Sequence, residues 1–470
     1  MTASAADRFY EGTRLLGAGD LSGAEAALRG ALEAQPDLAE AHANLALVLE
    51  HQRRMDEAEP HYRRALELQP WQTQTLRNFG AMLHRQKRLN EAESQYRMAL
   101  AIKSDEPNTY SNLGALLACM KREAEAEQCY RTAMQMAPDY RGARYNLAYV
   151  LIRQGRWEEG FACMQASDWV ADTARRLPFA QWRGEALHGK SILVAFEAGH
   201  GDMLQFCRYV PLLKQRGAAR VTLMCHPGLI RLFECLPGVD ALIPIEAACP
   251  AGEWDCWTVP MLLPHFFGTR PDFIPGDFPY LQADPADVRH WAAVIGEGDG
   301  EGLRVGLRVG VVWRGNANFE NDADRSIHDP AVLAPLAAVV GVRWFSLQRW
   351  QGQAHADEAV PPLPLTDLAA QFRDFGDTAA AIANLDLVIS VDSAVAHLAG
   401  ALGKACWLLL PDYKTDSRWL KDGDATPWYP GVMRLFRQAP DGDWNGVVAA
   451  VNSALQAAAA SGTVREQRRR

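Results

Sequence analysis

The 470-residue chain has no run of 18 or more apolar residues, so no segment reads as a membrane span. Its opening, Met1-Thr-Ala-Ser-Ala-Ala-Asp-Arg8, lacks the apolar stretch of a secretory leader. There is no Cys-x-x-Cys, and the nine cysteines are scattered, which argues against a disulfide framework and against a zinc site. Cys119, Cys129, Cys207 and Cys406 lie in apolar periodic stretches and read as reduced core thiols of a cytoplasmic protein. Basic residues are not in excess: 48 Lys and Arg stand against 57 Asp and Glu, a net charge of −9. A phosphate backbone needs a basic face, so nucleic acid is not the expected partner. Walker-type loops, nucleophile elbows and His-Glu-x-x-His are also missing. What remains is 48 % hydrophobic and 22 % charged, ordinary for packed domains.

The N-terminal third repeats itself every 34 residues. Asn44-Leu45, Asn78-Phe79, Asn112-Leu113 and Asn146-Leu147 recur in register, each followed by a small residue (Ala46, Gly80, Gly114, Ala148). Further columns hold Ala24, Ala58, Ala92 and Ala126, then Leu28, Tyr62, Tyr96 and Tyr130, then Ala31, Ala65, Ala99 and Ala133. Small residues let two antiparallel helices approach, an aromatic fills the gap, and Pro36, Pro70 and Pro138 break the chain between units. Period and pattern resemble the tetratricopeptide repeat, with about four and a half units over residues 1–166. In that family the Asn column faces a concave groove. An Asn amide both donates and accepts, so Asn44, Asn78, Asn112 and Asn146 are candidates to grip an extended peptide backbone. The competing reading is a common repeat residue that caps local backbone.

Residues 167–189 form a non-periodic junction with Trp169 and Trp182. From Lys190 the rhythm becomes strand and helix: strands at Ser191–Phe196, Val221–Cys225 and Ala241–Ile245, helices at Met203–Arg216 and Pro227–Leu236. A second series has strands at Val309–Trp313, Arg343–Leu347, Leu385–Val391 and Ala405–Leu410. Its helices are read near Pro330–Val340, Asp377–Asn384, Ala394–Leu402 and Trp444–Ala460. This predicts two doubly wound, Rossmann-like α/β halves, 190–285 and 286–470, with ligands beyond the carboxyl ends of the strands. The whole is then an α-solenoid followed by two α/β halves.

Three segments carry chemistry. Asp392-Ser393-Ala-Val-Ala-His397 follows a strand and opens a helix, whose free N–H groups suit a diphosphate; the alternative is an N-cap and a packed core His. Trp313-Arg314-Gly315-Asn316 and Asp324-Arg325-Ser326 place two arginines and a hydroxyl at a sheet mouth, where they can neutralise phosphate or pair with Glu320, Asp322 and Asp324. Glu197-Ala-Gly199-His200-Gly201-Asp202 is a glycine-rich turn. Gly199 and Gly201 permit close approach, and Asp202 either caps the next helix or takes a proton from a hydroxyl, with His200 the alternative base. The acid pairs Asp322-x-Asp324, Asp422-x-Asp424 and Asp441-x-Asp443 read as solvated turns, and no metal site is expected.

Together with Arg325-Ser-Ile, Ser346-Leu-Gln348, Trp428-Tyr-Pro430 and the glycines after His397, these motifs resemble glycosyltransferase family 9, the heptosyltransferase-like group. The likeness is to bacterial fusions of tetratricopeptide repeats with such a domain. The resemblance implies a GT-B fold and inverting, metal-independent transfer from a nucleotide diphosphate sugar. The acceptor would lie toward 190–285 and the donor toward 286–470. By that likeness Asp202 matches the base. Arg314, Asn316, Arg325, Ser326, Asp392, Ser393 and His397 fall on the donor side, with Gln348 near the nucleoside. Partners would be the nucleotide sugar and a protein in the repeat groove. A non-catalytic repeat scaffold and a transferase for a lipid-linked or polysaccharide acceptor stay open.

Overall fold

A computed structural model describes residues 4–197, 199–246, 254–296, 306–349, 359–440, 442–461 and 464. The chain divides into two compact units, Met1–Val150 and Leu151–Arg470. The dividing point lies upstream of residue 166, the end of the repeats as read from sequence. The described residues contain no helix long and apolar enough to cross a membrane.

The first unit is a stack of antiparallel helix pairs. First helices are Ala5–Gly17, Ala39–His51, Thr73–Arg85 and Pro107–Cys119, with Arg141–Arg153 beginning the fifth; second helices are Leu21–Ala34, Met55–Leu68, Leu89–Ile102 and Glu123–Met136. The small and aromatic columns are the interior, with Ala24, Ala58, Ala92, Ala126, Tyr62, Tyr96 and Tyr130 all buried. A Cβ on Gly80 or Gly114 would sit 2.9 Å from the Tyr96 or Tyr130 ring, so these rings rest directly on helix backbone. The turn between the helices of each unit needs a left-handed residue at one fixed position. Gly19, Arg53, Lys87, Lys121 and Gly155 supply it, all with φ between 59° and 81°.

Units are also riveted by charge. Arg54 reaches Glu25 of the preceding unit at 2.8 Å and its own helix's Glu57 at 2.6 Å. Arg88 repeats this with Glu59 and Glu91, and Arg122 with Glu93 and Glu125.

The second unit holds two wholly parallel sheets. Strands β1 (Ala180–Gln181), β2 (Ser191–Val194), β3 (Arg220–Cys225), β4 (Ala241–Pro244) and β5 (Cys256–Thr258) are ordered β1-β5-β2-β3-β4. Strands β6 (Leu307–Val312), β7 (Val342–Ser346), β8 (Leu365–Asp367), β9 (Leu387–Val391), β10 (Cys406–Leu410) and β11 (Met433–Arg437) are ordered β11-β10-β9-β6-β7-β8. Each order reverses beside its first long strand, β2 or β6, and ligands bind at such reversals. All five residues of β9 are buried, as a two-sided parallel strand requires. Helix Trp444–Ser461 covers the second sheet through Val447, Val451 and Leu455.

Three expectations change. The junction is part of the first sheet, because β1 pairs with β5 and Trp182 is buried against Phe266; two residues are too short to show alternation. The helix read over Met203–Arg216 is His200–Phe206 and Val210–Gln215 around a 3₁₀ turn, where Pro211 removes an N–H donor. Pro330–Ala338 winds as 3₁₀ turns, with Pro335 inside it. Among the described residues no disulfide forms, and Cys235 is exposed.

Candidate functional site

The loop after β2 opens helix His200–Phe206. Asp202 Oδ2 accepts from the Gly199 N–H at 3.1 Å, closing the helix start. Gly201 lies against the other half, where a Cβ would stand 2.9 Å from His397 Cδ2, so only a bare backbone lets the two helices meet there. His200 instead stacks on His226, 3.9 Å between centroids, with Phe375 5.2 Å away. Burial, then His226, brings its pKa down to about 4, so the ring is neutral at physiological pH.

The loop after β9 opens helix Ala394–Ala401, with Ser393 at its N-cap. Ser393 makes no side-chain cap; its hydroxyl pairs with that of Ser390 at 2.9 Å. The helix's first amides therefore have no side-chain acceptor, the condition in which a helix start takes an anion. Asp392 accepts from Trp419 Nε1 at 2.8 Å. Burial, then the neighbouring Asp416, raises its carboxyl to about 6. His397 is buried and stacked on Trp419; burial and then Arg418 hold it well below the usual imidazole range.

Arg418, which the sequence reading did not single out, joins these segments. It reaches Asp202 Oδ1 at 2.6 Å, Gln205 Oε1 at 2.7 Å, Asp416 Oδ1 at 2.9 Å and His397 Nε2 at 3.4 Å. Burial opposes ionisation of Asp416, but the Arg418 charge and hydrogen bonds outweigh it and the carboxyl is lowered. Three carboxylates, one neutral imidazole and one guanidinium thus meet where the two sheets' helices touch. Arg418 stands in the 3₁₀ turn Ser417–Trp419, between β10 and β11, where no periodicity marks it.

The β6 and β7 ends are organised differently from the expectation. Gln348 is buried and its Oε1 accepts from Trp313 N at 3.2 Å and Arg314 N at 3.0 Å. Ser326 accepts from Gly315 N at 2.8 Å and donates to Asp322 at 2.6 Å. Through these bonds both side chains hold the loop in shape. Asp322 is correspondingly buried, not a solvated turn residue. Asn316 is exposed and caps Asn318 N at 3.0 Å. Arg314 Nη2 lies 3.3 Å from His328 Nδ1. Arg325 sits over the Phe319 ring at 4.2 Å and 3.5 Å from Asp322, and its charge reaches Asp392 and His397. Of the expected donor-side residues, Asp392, Ser393 and His397 belong to the segment that Gly201, next to Asp202, packs against; Arg325 packs against Gly315, between Arg314 and Asn316. Asp441 lies outside the described residues.

In the first unit the Asn column splits. Asn44 donates to Thr13 Oγ1 at 2.9 Å, and Asn78 accepts from Gln74 at 2.8 Å. Asn112 and Asn146 are half-buried, and among the described residues neither amide has a hydrogen-bond partner.

Tetratricopeptide repeat family models match residues 37–105, 108–137 and 124–167. The N-terminal region is therefore a tetratricopeptide array, a scaffold for protein interaction. Protein FlbA of Caulobacter vibrioides is 28 % identical over 340 residues, 65 % of this chain and 54 % of FlbA; the match spans about half of that relative. Among solved structures, Pseudomonas aeruginosa pilF is 22 % identical, with 45 % of this chain and 85 % of that one covered at a TM-score of 0.35. YrrB, a TPR protein with an unusual peptide-binding site, is 18 % identical, with 37 % and 93 % covered at a TM-score of 0.31.

Proposed function

We propose that the chain is an inverting glycosyltransferase of GT-B architecture, which moves a sugar from a nucleotide diphosphate sugar to a hydroxyl of a protein held by the repeats. The observation that carries this reading is the meeting of Asp202, at the end of one parallel sheet, with the uncapped start of helix Ala394–Ala401, at the end of the other. The amides and Arg325 face the charge that grows on the leaving diphosphate, and fixed donors are the groups that stabilise such charge. Asp202 takes the proton of the acceptor hydroxyl. That oxygen bonds to the anomeric carbon as the bond to the phosphate oxygen breaks, and the electron pair leaves with the nucleoside diphosphate. The step as written uses no metal ion.

Asp202→Asn is expected to lower sugar transfer by about 10²-fold or more, the usual contribution of a positioned base, and to leave donor stabilisation in a thermal-shift titration intact. Transfer at the wild-type rate removes Asp202 from the chemistry. A second reading, a repeat scaffold whose transferase fold has lost its chemistry, draws on the occupation of both Asp202 oxygens by Gly199 and Arg418. Failure of every nucleotide and nucleotide sugar to raise Tm supports it, since a ligand at 100 times Kd adds about 2.7 kcal/mol.

A further inference from the structure

Asp202 cannot be oriented by its own half alone. One oxygen caps Gly199 N–H, and the other is held at 2.6 Å by a guanidinium that comes from the loop after β10. That guanidinium is itself fixed from several sides: Asp416 takes Nε, while Nη1 faces Gln205, fully buried, and His397. A guanidinium only donates, so His397 Nε2 accepts and the ring proton of the neutral imidazole sits on Nδ1. From there it points at Tyr429 Oη, 2.8 Å away. Tyr429 in turn meets Tyr280, whose hydroxyl donates to Leu204 O at 3.0 Å. The run from Arg418 through His397 to Tyr429 therefore has one direction. Four of the five guanidinium N–H groups have protein acceptors, which leaves Arg418 committed to the protein and not offered to a phosphate.

We propose that Arg418 is a positioning residue that aims Asp202 at the acceptor hydroxyl only when the two sheets are together, with neutral His397 fixing the guanidinium. The inference rests on the transferase reading. In it, Asp202 accepts the hydroxyl proton through the oxygen lobe that Arg418 leaves free, and Arg418 neither gains nor loses a proton.

The test uses the full chain and release of UDP or GDP from UDP-glucose, UDP-N-acetylglucosamine and GDP-mannose, with water as acceptor. Arg418→Ala is expected to lower kcat by about 10²- to 10³-fold with donor KM within about threefold. Guanidinium chloride or methylguanidine at millimolar concentration is expected to restore a large part of kcat in Arg418→Ala and nothing in Asp202→Asn. Arg418→Lys keeps the charge but loses the fork and serves if the alanine variant fails to fold; a kcat about tenfold down at unchanged KM is expected. Wild-type kcat in Arg418→Lys, a loss expressed in donor KM, or a folded Arg418→Ala that guanidinium does not rescue each overturns the proposal. A wild-type chain that releases no nucleotide from these donors and is stabilised by no nucleotide or nucleotide sugar removes the transferase reading itself, and this inference with it.

Discussion

Glu197 shows how one residue's burial sets a property of the whole unit. Its carboxyl is 2 % exposed, accepts from Met261 N at 3.2 Å and faces Ser167 Oγ at 3.5 Å. Burial, and to a smaller degree Asp202, pushes it from 4.5 up to about 8. The folded value lies above the unfolded one, so Glu197 favours folding fully below pH 4.5 and loses that contribution as pH rises toward 8. The difference at pH 8 is about 4 kcal/mol. Glu197→Gln keeps an acceptor for Met261 N and does not ionise, so its stability relative to wild type is expected to grow from pH 5 to pH 8 in urea unfolding. An equal difference at both values contradicts the buried, protonated state. Glu197 was visible in the sequence only as part of a glycine-rich turn, because burial is a property of the loops that cover it. Ser326 and Gln348 taught the converse: residue types suited to a ligand were taken by backbone amides eleven and thirty-four residues away.

Elements were legible wherever a period or an unbroken apolar run marked them. The helix pairs repeat at 34 residues, and the central strands are short buried runs ended by polar loops. The Arg54, Arg88 and Arg122 rivets share that same period, yet charged columns look like any solvated face until their partners in the next unit are known. Strand β1 and the 3₁₀ turns carried no period at all. Packing between helices was hidden too, and Gly400 is the sharpest case. A Cβ there would stand 2.5 Å from Tyr429 Cδ1 and 2.6 Å from Cγ. The ring cannot retreat freely, since it is fully buried and its hydroxyl is tied to His397. Helix propensity favours Ala over Gly by about 1 kcal/mol, whereas overpacking costs about 1–3 kcal/mol. Gly400→Ala is therefore expected to lower Tm and to cut kcat through Tyr429 and His397. A Tm at or above that of wild type means the ring moves aside at little cost.

At the scale of the molecule, the proposed transferase reading assigns recognition and chemistry to different units. The repeats hold no member of the Asp202 cluster, and the cluster's own partners all come from Leu151–Arg470. Acceptor capture and donor chemistry are then separable in kinetics. Within the Asn column only Asn112 and Asn146 present unengaged amides, while Asn44 and Asn78 are turned onto Thr13 and Gln74. Each hydrogen bond to a peptide backbone is worth about 0.5–1.5 kcal/mol, so the double change Asn112→Ala with Asn146→Ala should weaken capture by about 1–3 kcal/mol. In transfer of labelled sugar to cell-extract protein, that is a rise of about 5- to 150-fold in the extract concentration giving half-maximal rate. Donor KM and the rate of donor hydrolysis are expected to stay at wild-type values, because no group near Asp202 is altered. The matching pair Asn44→Ala with Asn78→Ala is the control, with a smaller effect, since those amides must first leave an internal partner. An equal effect from both pairs sinks the division within the column, and no effect from either moves the acceptor off this face of the repeats.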